Sequence, residues 1–184
     1  MGQDKALLEW QGKPLWQAQV AKLWALGAVR LIIACREEQN LHHNETLDPQ
    51  VEWLFDPPGE DLGPISAIAR GLEGSLHPLL VLAVDMPWMT AEFMGDHLLD
   101  LRLEDRGLFY QGPHGYEPLA GIYTPRMLGR LVDALQKGRL SLQPLVEKAV
   151  TSGDADVRPM TDETRGFFQN TNTREEWNRL GLTN

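Results

Sequence analysis

Six consecutive apolar residues end on an acid: Leu79-Leu80-Val81-Leu82-Ala83-Val84, then Asp85. Pro78 bounds the run in front, and Met86-Pro87 turns the chain behind it. An apolar run without polar alternation predicts a strand covered on both faces, as in the middle of a parallel sheet. It also sets an ionisable group at the tip of the most hydrophobic segment in the chain.

The surroundings fit that sheet. Pro14 suits a helix start, and Leu15, Trp16, Ala18, Leu23, Trp24 and Leu26 give it a broad apolar face that Gly27 closes. Residues 29–35 (VRLIIAC) and 51–55 (VEWLF) read as strands, the second ending on Asp56-Pro57-Pro58-Gly59, a strong turn signal. Pro64 opens a helix through Ile65, Ile68 and Leu72, with Gly74 as its stop, and Thr90 is placed to cap another. Later segments predict strands over 107–111, 119–123 and 156–158, and helices over 125–136 and 141–149. A capping box, Thr173-Arg174-Glu175-Glu176, begins a last helix through Trp177 and Leu180. With no internal repeat or linker composition, residues 1–184 are expected to form one domain, a three-layer α/β fold with a mostly parallel sheet.

Composition narrows the function classes. The chain has 42% hydrophobic and 23% charged residues, a balance that excludes a disordered class. Its formal charge of -9 would repel a phosphate backbone, so nucleic acid is not expected as a main partner. A nucleotide remains compatible, because backbone N–H groups, one lysine and a metal ion can hold a small anion locally. Cys35 is the sole cysteine, which precludes an internal disulfide and agrees with a reducing cytoplasm. The longest apolar run is too short for a bilayer, and a cytoplasmic location is expected.

In open parallel sheets, ligands bind beyond the carboxyl ends of the strands. Asp56 and Asp85 both stand there. A carboxylate at depth needs donors or a cation, and Mg²⁺ suits it, since that ion takes one or two carboxylates and completes its shell with phosphates. Asp85 could equally cap the turn at Met86-Pro87, and Asp56 could belong to a turn alone. Gly63-Pro64 could offer helix N–H groups to an anion or be plain helix geometry. His42, His43, His77, His97 and His114 show no metal spacing, and Cys35 reads as an apolar filler.

Five blocks occur together and in order: MGQDKALLEWQGKPL, DPPGEDLGPISAI, LLVLAVDMP, EPLAGIYTPRMLGRLVDALQKGRLSLQPLV and FFQNTNTREEW. In that order they resemble the MobA-like nucleotidyltransferases over nearly the whole chain, most of all those that transfer a guanylyl group to the molybdenum cofactor. Each block alone is shared with other nucleotide-transferring proteins; the set is specific to the family.

The resemblance implies a Rossmann-like sheet of the nucleotide-diphospho-sugar transferase type, GTP and the molybdopterin cofactor as substrates, Mg²⁺ as cofactor, and molybdoenzymes or their chaperones as further partners. It implies that Lys5 contacts the triphosphate, Asp56 and Gly63 bind the nucleotide, Asp85 binds Mg²⁺, and Asn170 and Asn172 lie toward the molybdopterin. Family members usually begin with a strand and a loop of the form Leu-Ala-Gly-Gly-x-Ser-x-Arg-Met-Gly-x-Asp-Lys, of which Met1-Gly2-Gln3-Asp4-Lys5 matches only the tail. The first strand of the family's sheet is thus expected to be missing here, either because the natural frame starts upstream or because the chain is a truncated relative. Ile33 stands where members often carry a polar, base-holding residue. Two other readings remain: a relative using CTP or acting on a sugar phosphate, and a non-catalytic protein that binds the pterin or a partner.

Overall fold

The computed structural model describes residues 4–43, 51–59, 62–99 and 105–170. In chain order these hold a short hairpin, β1 (Glu9–Trp10) and β2 (Lys13–Pro14), then helix α1 (Leu15–Ala25) and strands β3 (Leu31–Cys35) and β4 (Val51–Phe55). Helix α2 (Gly63–Leu72), strand β5 (Leu79–Leu82) and helix α3 (Ala91–His97) follow. The chain continues with β6 (Gly107–Gly112), β7 (Gly115–Tyr116), β8 (Ala120–Tyr123), α4 (Leu128–Gln136), α5 (Gln143–Thr151) and β9 (Ala155–Pro159). The helix expected from Thr173 lies outside the described residues.

The chain divides into two compact units. The larger, Arg30–Val81 with Leu101–Pro159, holds the α/β layers that the sequence predicts. Its sheet is mixed where a mostly parallel one was expected. β3 pairs with β4 in parallel, Leu31 opposite Val51, and β6 pairs with β9 in parallel. The tight connection after β6 makes β7 antiparallel to it, and β8 runs antiparallel to β6 as well. The strands form two separate sheets, β3-β4 and β5-β8-β6-β7 with β9 beside β6. Among the described residues, β3 and β5 each have a strand on one side only.

The core of this unit is built from helical spacing. Ile65, Ile68, Ala69 and Leu72 recur along one face of α2 and are buried with Leu131 of α4 and Leu145, Val146 and Ala149 of α5. Phe109 and Tyr123 meet edge to face in its centre, ring centroids 4.9 Å apart. Gly121 allows that meeting, because a Cβ there would lie 2.6 Å from Phe109 Cδ1 and 2.9 Å from the Leu108 carbonyl oxygen. Strand β5 is less covered than its composition predicts: all four residues are half-buried. Leu79 and Ile32 both reach Gly71 of α2, at 3.1 and 3.5 Å from the position of a Cβ there, so one helix face serves both sheets.

The smaller unit comprises Met1–Val29, Leu82–Asp100 and Met160–Asn184. Helix α1 buries Leu15, Trp16, Gln19 and Val20, while Trp24, expected in the core, is half-buried. Trp10 and Trp88 meet edge to face at 4.9 Å. Thr90 caps α3 as expected, its hydroxyl accepting from the Phe93 amide at 3.1 Å. Phe93 stacks on His97 and Phe167. No helix among the described residues is long and apolar enough to cross a membrane.

Candidate active site

Strand β5 ends at Leu82, two residues before the apolar run does. Ala83 lies beyond the strand and Val84 enters a turn, so their carbonyls leave the sheet ladder. Backbone oxygens leaving a ladder inside a protein need other donors. Helix α1 supplies them. The Gln19 side-chain amide donates to the Ala83 oxygen at 3.0 Å and the Met86 oxygen at 2.9 Å, with a longer contact to Val84 at 3.4 Å. Lys22, one turn further on the same helix, donates to the Pro87 oxygen at 2.6 Å and to Gln19 Oε1 at 2.9 Å. Burial lowers the Lys22 ammonium from 10.5 to about 8, which leaves it protonated at neutral pH.

Asp85 stands between these anchors. Its Oδ2 accepts from Lys5 Nζ at 3.0 Å, and the Asp85 side chain is 22% exposed. Lys5 opens a one-turn 3₁₀ helix that Asp4 caps, the Asp4 carboxylate accepting from the Ala6 amide at 3.0 Å. The aspartate of the apolar strand and the lysine of the first block, 80 residues apart in sequence, therefore form one ion pair. A half-exposed pair of this kind can exchange its partner for a charged ligand at modest cost.

The larger unit carries Asp56 and Gly63. Asp56 is half-buried directly after β4, and its amide donates to the Cys35 oxygen at 3.2 Å. Arg70 of α2 donates to the carbonyl of Phe55, just before it, at 2.6 Å. Gly63 starts α2 at φ +61°, a left-handed conformation that a side chain would strain, and among the described residues no atom beyond its own helix and chain neighbours lies within 4 Å of where its Cβ would be. The N-cap residue Leu62 makes no side-chain hydrogen bond to this helix start. Asn170 is exposed in the smaller unit, and Asn172 lies outside the described residues.

Among the described residues, no cluster of three or more His, Cys, Asp or Glu is placed to hold a metal. At the end of the apolar run, Asp85 offers a hard oxygen beside the Lys5 ammonium. That donor fits an ion such as Mg²⁺, which takes few protein ligands and the rest from phosphates and water. Gln19 and Lys22 escaped the sequence reading. Their signal was a glutamine in the middle of an apolar helix face.

The family described as MobA-like NTP transferase domain matches residues 1–162. The chain is 32% identical to a protein of Opitutus terrae named "Probable molybdenum cofactor guanylyltransferase", over 97% of this chain and 87% of that one. Among solved structures it is similar to molybdopterin-guanine dinucleotide biosynthesis protein A from Archaeoglobus fulgidus, with a TM-score of 0.74 and 20% identity over 97% of this chain and 89% of that one. It is also similar to Rv0371C of Mycobacterium tuberculosis, solved in complex with manganese. That TM-score is 0.63, at 17% identity over 99% and 94% of the two chains.

Proposed function

We propose a reaction for this chain from one premise: it belongs to the MobA-like NTP transferase domain family. The chain is a guanylyltransferase of molybdenum cofactor biosynthesis. The terminal phosphate of molybdenum-bearing molybdopterin attacks the α-phosphorus of GTP, a new P–O bond forms, and the bond to the β-phosphate oxygen breaks to release pyrophosphate. Residues 1–184 act as one nucleotidyltransferase domain.

Such a transfer asks a protein mainly for positioning and for charge compensation. Lys5 supplies a mobile ammonium against the triphosphate and the leaving pyrophosphate. Asp56 and Gly63 contribute to nucleotide binding, the glycine by letting the ligand approach the backbone amides at the start of α2. Asp85 holds Mg²⁺, which when bound neutralises phosphate charge. Asn170 and Asn172 serve the pterin side. The manganese complex of a protein of similar fold supports a divalent ion. The observation that carries the reading is the Lys5–Asp85 pair at the end of β5.

Pyrophosphate release from GTP in the presence of molybdopterin tests it, with CTP as competitor. GTP should be preferred. Asp85→Asn should lower turnover by about 10³-fold or more, with an unchanged circular dichroism spectrum. Retained Mg²⁺-dependent turnover in that variant, or preference for CTP, refutes the assignment.

A further inference from the structure

The loop that presents Asp85 is irregular, yet its carbonyls are bound on both sides of the acid. Gln19 holds the oxygens of Ala83 and Met86, and Lys22 holds that of Pro87. The two side chains also hold each other, Lys22 donating to Gln19 Oε1. Gln19 is 5% exposed. A primary amide at that depth is costly unless its donors are used. Here its two N–H donors and its oxygen are all engaged, so the amide is oriented in a single way.

Packing reinforces this. Met86 and Met89 are buried on either side of the Pro87-Trp88 step, and the Met89 amide closes a turn onto the Met86 oxygen at 3.2 Å. Trp88 rests against Trp10, and the Lys22 ammonium lies 6.0 Å from the Trp10 ring. Gln19 and Lys22 touch neither Lys5 nor the Asp85 carboxylate in any of these bonds. Their effect on the acid runs through the backbone.

We infer that Gln19 and Lys22 are positioning residues: by gripping the Ala83–Pro87 turn through its carbonyls, they fix the direction in which Asp85 presents its carboxylate. The inference rests on the transfer reading above for its purpose, and on the hydrogen bonds alone for its geometry. An apolar side chain at residue 19 would remove the Gln19 donor from the Ala83 and Met86 oxygens, leaving the latter only the Met89 amide. A loop freed in this way would sample many carboxylate directions, and a charged ligand would lose its fixed oxygen.

The experiment uses the whole chain and four variants: Gln19→Leu, Lys22→Met, Lys22→Arg and, as a control on the same helix, Val20→Ala. Amide exchange across residues 83–88 and Mn²⁺ binding in the presence of GTP, read by electron paramagnetic resonance, are measured for each. Gln19→Leu should speed exchange in that segment and weaken Mn²⁺ binding by about 10-fold, the scale on which residues behind a ligand act. Lys22→Met should show a smaller loss that Lys22→Arg restores. Val20→Ala should lower thermal stability while leaving Mn²⁺ binding within about 2-fold of the unaltered protein, since it touches no carbonyl of the turn. Equal Mn²⁺ loss in Val20→Ala and Gln19→Leu overturns the inference, as does undiminished Mn²⁺ binding in Gln19→Leu. If the unaltered protein binds no Mn²⁺ with GTP, the transfer reading falls and the inference with it; strong binding in every variant sinks the inference alone.

Discussion

Strands β5 and β6 reverse what their compositions suggest. Leu79-Leu80-Val81-Leu82 is entirely aliphatic, yet each residue of β5 is half-buried. β6 includes a glycine, a tyrosine and a glutamine, yet Gly107, Leu108, Phe109 and Tyr110 are all buried. The difference lies in their neighbours. Among the described residues, β6 has β8 and β7 on one side and β9 on the other, whereas β5 has only β8. Burial is decided by what lies beside a strand as well as by what the strand is made of. The comparison also separates two kinds of importance, since β6 carries the packing and β5 leads to the acid.

Substitutions sharpen that contrast. Phe109→Ala removes the aromatic centre of the core, between Tyr123 and Gly121, and should cost about 3–5 kcal/mol in urea unfolding. Val81→Ala, on the β5 face that packs against the same core, should cost only about 1–2 kcal/mol. Equal losses from the two would show that β5 is as well covered as β6, and the contrast would fail. The smallest change tests the rim next to β9. Asp154 accepts from Ser152 Oγ at 2.8 Å and pairs with Arg130, and these contacts hold its carboxyl below the usual 3.8. A depressed folded-state pKa stabilises the native form above about pH 3.8, and that stabilisation is lost as pH falls through the lower folded value. Arg130→Met should therefore be less stable than the unaltered protein at pH 7, and the gap should close in acid. A gap that persists at pH 2 would mean that Arg130 acts through packing.

Much of this was readable from residues. The Pro64 and Gly74 punctuation of α2 and the Thr90 cap follow from local rules, and each is found in place, while the aliphatic run before Asp85 forms a strand only as far as Leu82. Strand 51–55 matches in full. Other features depend on contacts that no local pattern carries. The sequence placed β5 in the sheet interior, but its coverage depends on distant strands. The Lys5–Asp85 pair joins two blocks far apart in the chain, so resemblance proposed both residues without showing that they meet. Gln19 was hidden by its helix: among Leu15, Trp16 and Val20 it reads as a flaw in an apolar stripe. In the fold it replaces the ladder partners that the turn after β5 has lost.

The Trp10–Trp88 contact gives the loop its own optical probe. Indoles with centroids 4.9 Å apart and planes at 88° are close enough for their electronic transitions to couple, and one of them follows Asp85 by three residues. A displacement of that loop on nucleotide binding would alter the coupled dichroic band without any label, and replacing Trp10 with phenylalanine would erase the signal.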